Sequence, residues 1–134
     1  MLVYVDTDVF LNYILNRKNK QGKSLGEEAE LFFSKVISTD LEILISRKVL
    51  EELYGQIEPN EVQMLFEFLK SKIRVVPYDK QDLLEAEQLD AENRNDALHA
   101  ILARKHGADC LVTRNMKHFK KYSLIIKVKY PFEI

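Results

Sequence analysis

Five short apolar runs, residues 2–5, 42–45, 73–76, 110–112 and 125–128, are mostly rich in β-branched residues and are separated by stretches of helical spacing. Strands that alternate with helices argue for a parallel sheet covered by helices on both faces. The expected fold class is α/β: a three-layer α/β/α sandwich with a central, mainly parallel sheet of four to five strands. A chain of 134 residues with 46% apolar composition can build one core, so residues 1–134 are expected to form a single domain.

The helical stretches carry their own punctuation. Residues 9–15 run into a polar, basic loop at 16–23, after which Ser24 caps a helix reaching Val36 or Ile37, with Glu27 three positions on as a capping box. Ser46 can cap the next helix, Arg47–Tyr54, and Gly55 stands where a stop is expected. Pro59 opens another, with Val62, Leu65, Phe66 and Leu69 at helical spacing. Asp79 begins a stretch carrying Leu83, Leu84, Ala86 and Leu89, and a last helix over 96–106 starts near Asn95 and closes at Gly107.

Charge narrows the function classes. Lys and Arg total 20 against 21 for Asp and Glu, and the pI of 6.3 lacks the global basic footprint common among nucleic-acid binders, so any such contact must be local. The single cysteine, Cys110, cannot form an internal disulfide and reads as a small buried hydrophobe, which fits a reducing cytoplasm. No leader pattern and no membrane-length apolar run stands out, so the expectation is a soluble, cytoplasmic protein without a membrane partner.

The first run passes directly into Asp6-Thr7-Asp8. In open α/β sheets ligands bind in the crevice outside the carboxyl ends of the strands, so Asp6 stands where a site is expected. Three remote segments look able to join it. In the helix from Asn95, residues Ala97, Leu98, Ile101 and Leu102 face inward, which leaves Asp96 on the first turn at the edge of the packed face. After Ser46, residues Val49, Leu50 and Leu53 make the apolar side; Glu52 adjoins it, while Glu51 lies roughly 100° away around the axis, which favours Glu52. Thr113 and Asn115 leave the fourth strand at the same end as Asp6. Three unpaired acids in one cleft repel and would cost several kcal/mol to bury, a conflict that a divalent cation resolves. Hard oxygen ligands suit Mg²⁺ or Mn²⁺, and without a His or Cys cluster zinc does not fit. Such an ion can lower the pKa of a water and bind a phosphate oxygen, the chemistry of phosphodiester hydrolysis.

These residues carry a resemblance. Val5-Asp6-Thr7-Asp8-Val9, the segment from Ser46 to Glu52-Leu53, Asp96-Ala97-Leu98-His99-Ala100, and the run from Gly107 through Thr113-Arg114-Asn115 to Phe119 resemble, in order, the motifs of PIN-domain nucleases. They look most like the small VapC-type toxin ribonucleases of toxin-antitoxin pairs. The resemblance implies a metal-dependent endoribonuclease with Asp6, Glu52 and Asp96 as metal-binding acids. Asn115 would stand at the position often held by a fourth acid, with Thr113 supporting the pocket. It further implies an RNA substrate, an antitoxin protein as partner and a homodimer. Two departures stand out: Asp8 where Asn is common, and the neutral Asn115, which weakens a full two-metal reading. A housekeeping RNA-processing nuclease and a non-catalytic PIN-like module are the alternatives.

Plainer roles exist for the same residues. Asp6, Thr7 or Asp8 could cap the first helix, Asp96 could be a favourable charge near a helix start, and Glu52 a solvated helix acid. His99, one turn after Asp96, reads as a packed or exposed histidine, and Phe32, Phe33, Phe66 and Phe68 read as core. Arg17, Lys18, Lys20 and Lys23 form one basic loop and Arg114, Lys117, Lys120 and Lys121 another; both border the expected pocket and could hold RNA phosphates. Apolar residues around Leu31 and in the helix after Pro59 could serve a dimer or an antitoxin groove.

Overall fold

The computed structural model describes residues 1–134. Its strands are β1 (Leu2–Val5), β2 (Glu42–Ser46), β3 (Ile73–Val76), β4 (Cys110–Val112) and β5 (Val128–Lys129), all parallel in one sheet ordered β3-β2-β1-β4-β5. Seven α-helices flank it: α1 (Thr7–Ile14), α2 (Leu25–Ser38), α3 (Arg47–Tyr54), α4 (Pro59–Leu69), α5 (Lys80–Leu89), α6 (Arg94–Lys105) and α7 (Met116–Phe119). This is the expected α/β/α sandwich, with the sheet wholly parallel. No helix is long and apolar enough to cross a membrane.

Topology follows from handedness. Crossovers between parallel strands are right-handed, and the chain steps from β1 outward to β2 and β3 before jumping back to β4 and β5. Helices α1 to α4 therefore pack as one set and α5 to α7 as another. The direction reverses between β1 and β4, and at such a switch point the neighbouring connections part and leave a crevice at the carboxyl ends. Their register pairs Val3 with Cys110, Tyr4 with Leu111 and Val5 with Val112. Asp6 and Thr113 are the next residues along, so register alone brings them side by side.

Burial explains the composition of the strands. Val3, Tyr4, Val5, Ile43, Leu44, Ile45, Leu111 and Val112 are fully buried, as expected where both sheet faces are covered and apolar runs are continuous. Phe10 stacks on Phe33 with centroids 5.3 Å apart, and Phe32, Phe66 and Tyr13 close around them. Truncating Phe33 to alanine would cost about 3–5 kcal/mol. Phe68 departs from the expected core and is half exposed, because it falls on the outward side of α4.

Other departures have local causes. Ser46 occupies the N-cap position of α3 but makes no cap bond, since its hydroxyl is engaged by the Tyr4 hydroxyl at 2.7 Å. Ser24 accepts from the Glu27 amide at 3.1 Å, yet only that half of the expected box forms. The fifth strand starts at Val128 and not at residue 125, because the amides of Ile125 and Ile126 both turn back to the Tyr122 carbonyl. Helix α6 begins at Arg94 and is closed by Gly107 at φ 81°, a left-handed conformation that glycine adopts without strain.

Candidate active site

Asp6 occupies the N-cap position of α1, but its side chain makes no cap bond. Its carboxylate, 5% exposed, accepts instead from the Thr113 hydroxyl at 2.9 Å. That hydroxyl oxygen accepts the Asn115 amide at 2.9 Å, which folds the β4 exit back over the crevice. The Asn115 side-chain amide donates to Asp8, which also receives Arg17 at 3.4 Å. The expected strand-end grouping of Asp6, Thr113 and Asn115 is thus formed, with Asp8 tied to its rim.

A second group approaches from the helices. On α3, Val49 and Leu53 are buried and carry Glu52 inward, where its Oε1 accepts from the Thr7 hydroxyl at 2.6 Å and lies 2.8 Å from His99 Nε2. Glu51 is directed elsewhere and accepts from the Tyr78 hydroxyl at 2.6–2.8 Å. His99 is buried, and its Nδ1 meets the Tyr4 hydroxyl at 2.7 Å. With Nε2 protonated, His99 donates to Glu52, while its Nδ1 and the Ser46 hydroxyl each share a hydrogen bond with the Tyr4 hydroxyl. The sequence suggests only a packed or exposed His99 and a helix-capping Ser46, and it gives no sign of the link through Tyr4. The available signal was a histidine among alanines and leucines in the apolar middle of a helix, since a buried imidazole requires partners.

Asp96 lies on the first turn of α6, half-buried, with Oδ2 3.5 Å from His118 Nδ1. The expected gathering is looser than three acids on one point. No three His, Cys, Asp or Glu side chains come together as a preformed metal cage, and Glu52 spends Oε1 on Thr7 and His99. What joins the acids is the field they share. Burial pushes Asp6 up to about 7, with Asp8 and Glu52 adding repulsion and His99 and Thr113 only partly offsetting them. Burial also raises Asp96, assisted by Glu52 and opposed chiefly by His118 and His99. For Glu52 burial pushes upward too, but the bond and charge of His99 together with Thr7 outweigh it and hold the carboxyl below its ordinary range. The imidazole responds in kind: burial pulls His99 down, and Glu52 more than restores it.

The crevice therefore holds a desolvated acid with one side-chain hydrogen bond, a half-buried acid, and a third held rigidly by an imidazole. Its donors are carboxylate, hydroxyl and amide oxygens without a thiol, a set that suits a hard cation. Beside it, Asp8, Arg17, Lys18, Arg114 and Asn115 border a hollow of about 410 Å³. Both expected basic loops, the first through Arg17 and Lys18 and the second through Arg114, thus reach the edge of the crevice.

Solved structures share this fold. A chain in the crystal structure of VapBC2 from Rickettsia felis bound to a DNA fragment from their promoter is 26% identical, with 97% of this chain and 98% of that one covered and a TM-score of 0.62. A chain of VapBC-1 from nontypeable Haemophilus influenzae shares the fold at 17% identity, with 98% and 99% covered and a TM-score of 0.64. No curated protein matches the chain. The model of the PIN domain family matches residues 3–117. Because that stretch runs from β1 past Asn115 and takes in the crevice residues from Tyr4 to Asn115, the chain belongs to the PIN domain family.

Proposed function

We propose that the chain is a metal-dependent endoribonuclease and the toxin of a two-component toxin-antitoxin pair, acting in the cytoplasm as a single-domain subunit. The observation that carries this reading is Asp6, a carboxylate raised to about 7 at the switch point, with Thr113 as its sole side-chain hydrogen-bond donor and the charges of Asp8 and Glu52 close by. A cation relieves that conflict. Asp6 and Asp96 would hold Mg²⁺ or Mn²⁺ directly, and Glu52, braced by His99 and Thr7, would orient the shell. When bound, the ion would lower the pKa of a water and stabilise charge on the phosphate. Thr113 fixes the rotamer of Asp6, Asn115 holds the rim through Asp8, and Arg17 and Arg114 supply charge for phosphates next to the scissile one.

Two surfaces support the partners. A groove of about 730 Å³ between α1, α2 and α4 offers Tyr13, Ile14, Met64, Leu65 and Phe68, rimmed by Glu27, Glu30 and Glu61. An amphipathic antitoxin helix with basic flanks suits it, and both solved neighbours are described as VapBC. A second copy would pack at Leu89, Ile101 and Ile125, where Glu85 and Arg104 on one patch allow self-complementary pairing across a two-fold axis.

A second reading, a non-catalytic PIN module, draws on the absence of a preformed cage and on the neutral Asn115. Titration calorimetry with Mn²⁺ and cleavage of single-stranded RNA separate the two. The nuclease reading expects binding and cleavage by the wild type and the loss of both in Asp6→Asn and Asp96→Asn, with circular dichroism unchanged. Equal cleavage by all three proteins would sink it.

A further inference from the structure

Arg114 stands between Thr113 and Asn115, so its Cα is about 3.8 Å from each neighbour's at the mouth of the crevice. Its guanidinium lies over the Tyr130 ring, 4.9 Å from the centroid, and pairs with Glu28 of α2 through Nη1 and Nε at 3.4 Å each. Glu28 is buried and also meets Lys23 Nζ at 3.8 Å. Lys23 in turn stands 5.1 Å from the centroid of Phe132. One buried acid thus joins the two basic loops, and each loop sets a cation on one ring of the same aromatic pair.

The pair is stacked, with Phe132 its exposed member. Tyr130 and Phe132 lie 10° from parallel with centroids 5.3 Å apart, and Phe132 is 61% exposed. The segment that carries them is tied down: the Tyr130 amide donates to Glu133 at 2.8 Å, Pro131 is buried, and Lys35 donates to the Ile134 carbonyl. Held this way, the rings lose little entropy when something stacks on them. An exposed aromatic ring braced by a second ring and flanked by Lys and Arg suits an unpaired nucleobase with its phosphate, because every base offers a π-face and the cations neutralise the backbone. A duplex keeps its bases inside the stack and cannot use such a surface.

We propose that Tyr130 and Phe132, with Lys23 and Arg114, form a nucleobase-stacking platform for the single-stranded RNA flanking the scissile bond. This rests on the ribonuclease reading and extends it to how the substrate is held. Stacking makes the platform tolerant of base identity, so it would favour unpaired regions over particular sequences.

The test is fluorescence anisotropy with a labelled single-stranded RNA of about ten nucleotides, in EDTA so that nothing is cut. Phe132→Ala is expected to weaken binding about tenfold and Phe132→Tyr to restore it. Lys23→Gln is expected to weaken binding less and to flatten its salt dependence. A duplex of the same sequence is expected to bind more weakly and to ignore Phe132. Wild-type affinity in Phe132→Ala, an equal loss on the duplex, or a loss confined to binding of a partner protein would overturn the platform. If the wild type binds single strands through Phe132 but does not cleave with Mn²⁺, the nuclease reading fails and the platform stands. If it cleaves and Phe132→Ala binds unchanged, only the platform fails.

Discussion

Helices α1 and α5 start alike and use their acids in opposite ways. Each has an aspartate at the N-cap position and a second in the first turn: Asp6 and Asp8 on α1, Asp79 and Asp82 on α5. At α5 the acids serve the fold. Asp79 accepts the Asp82 amide at 2.9 Å, Asp82 accepts the Asp79 amide at 3.0 Å, and Lys105 reaches Asp82 at 2.8 Å. Burial pushes Asp82 up, yet these bonds outweigh it and the carboxyl falls below its ordinary range. At α1 the N-cap carboxylate makes no cap bond, and burial carries it up to about 7. The contrast teaches that an acid at a helix start marks a site where its lone pairs are left unspent, and that position alone says little.

The largest effect expected from breaking this contrast is at Asp6. Asp6→Asn should remove metal-dependent cleavage while raising the metal-free Tm at pH 8, because it deletes a buried, repelled charge; a lower Tm would mean that Asp6 serves the fold after all. Next comes His99. His99→Ala should lower Mn²⁺ affinity and cleavage by about 10–100-fold by freeing Glu52, and His99→Gln should recover part of both. Equal Mn²⁺ affinity in all three proteins would reduce the imidazole to packing.

The third effect is in pH. Folded Asp6 titrates at about 7, whereas an unfolded aspartate titrates near 4, so the folded state holds the proton more tightly. Stability from that difference is complete below about pH 4 and is lost as pH rises through about 7. Asp96 and His99, both raised, act in the same direction, and lowered Glu52 and Asp82 oppose them only at acid pH. The metal-free Tm should fall between pH 5 and 8, less so in Asp6→Asn and less so with saturating Mn²⁺. A flat profile would contradict the desolvation assigned to the crevice. The smallest effect is at the other helix start: Asp79→Ala should cost about 1 kcal/mol in denaturant unfolding and leave Mn²⁺ affinity untouched.

Much of this was legible from sequence. Short β-branched runs marked the sheet, because strands covered on both faces need no alternation, and strand-end position marked Asp6. What was not legible depended on partners brought in from afar. The bond that keeps Ser46 from capping comes from Tyr4, 42 residues away. The choice between Glu51 and Glu52 is expressed through Tyr78 and His99, and neither is within twenty residues of the pair. Residues 125–128 are apolar enough for a strand, but the turn at Tyr122 consumes the first amides and leaves Ile126 to the core unpaired. Periodicity reports how a segment faces the core and is silent about which polar atom reaches it first.

The register between β1 and β4 also bears on how the chain tolerates changes of length. Side chains alternate along a strand, so inserting or deleting one residue before Asp6 would turn its carboxylate to the opposite face, even if Val3, Tyr4 and Val5 were replaced by equally apolar neighbours. Loops such as 16–23 can lengthen at small entropic cost. The four residues of β1 act as a ruler, and a single-residue change in their number would separate Asp6 from Thr113.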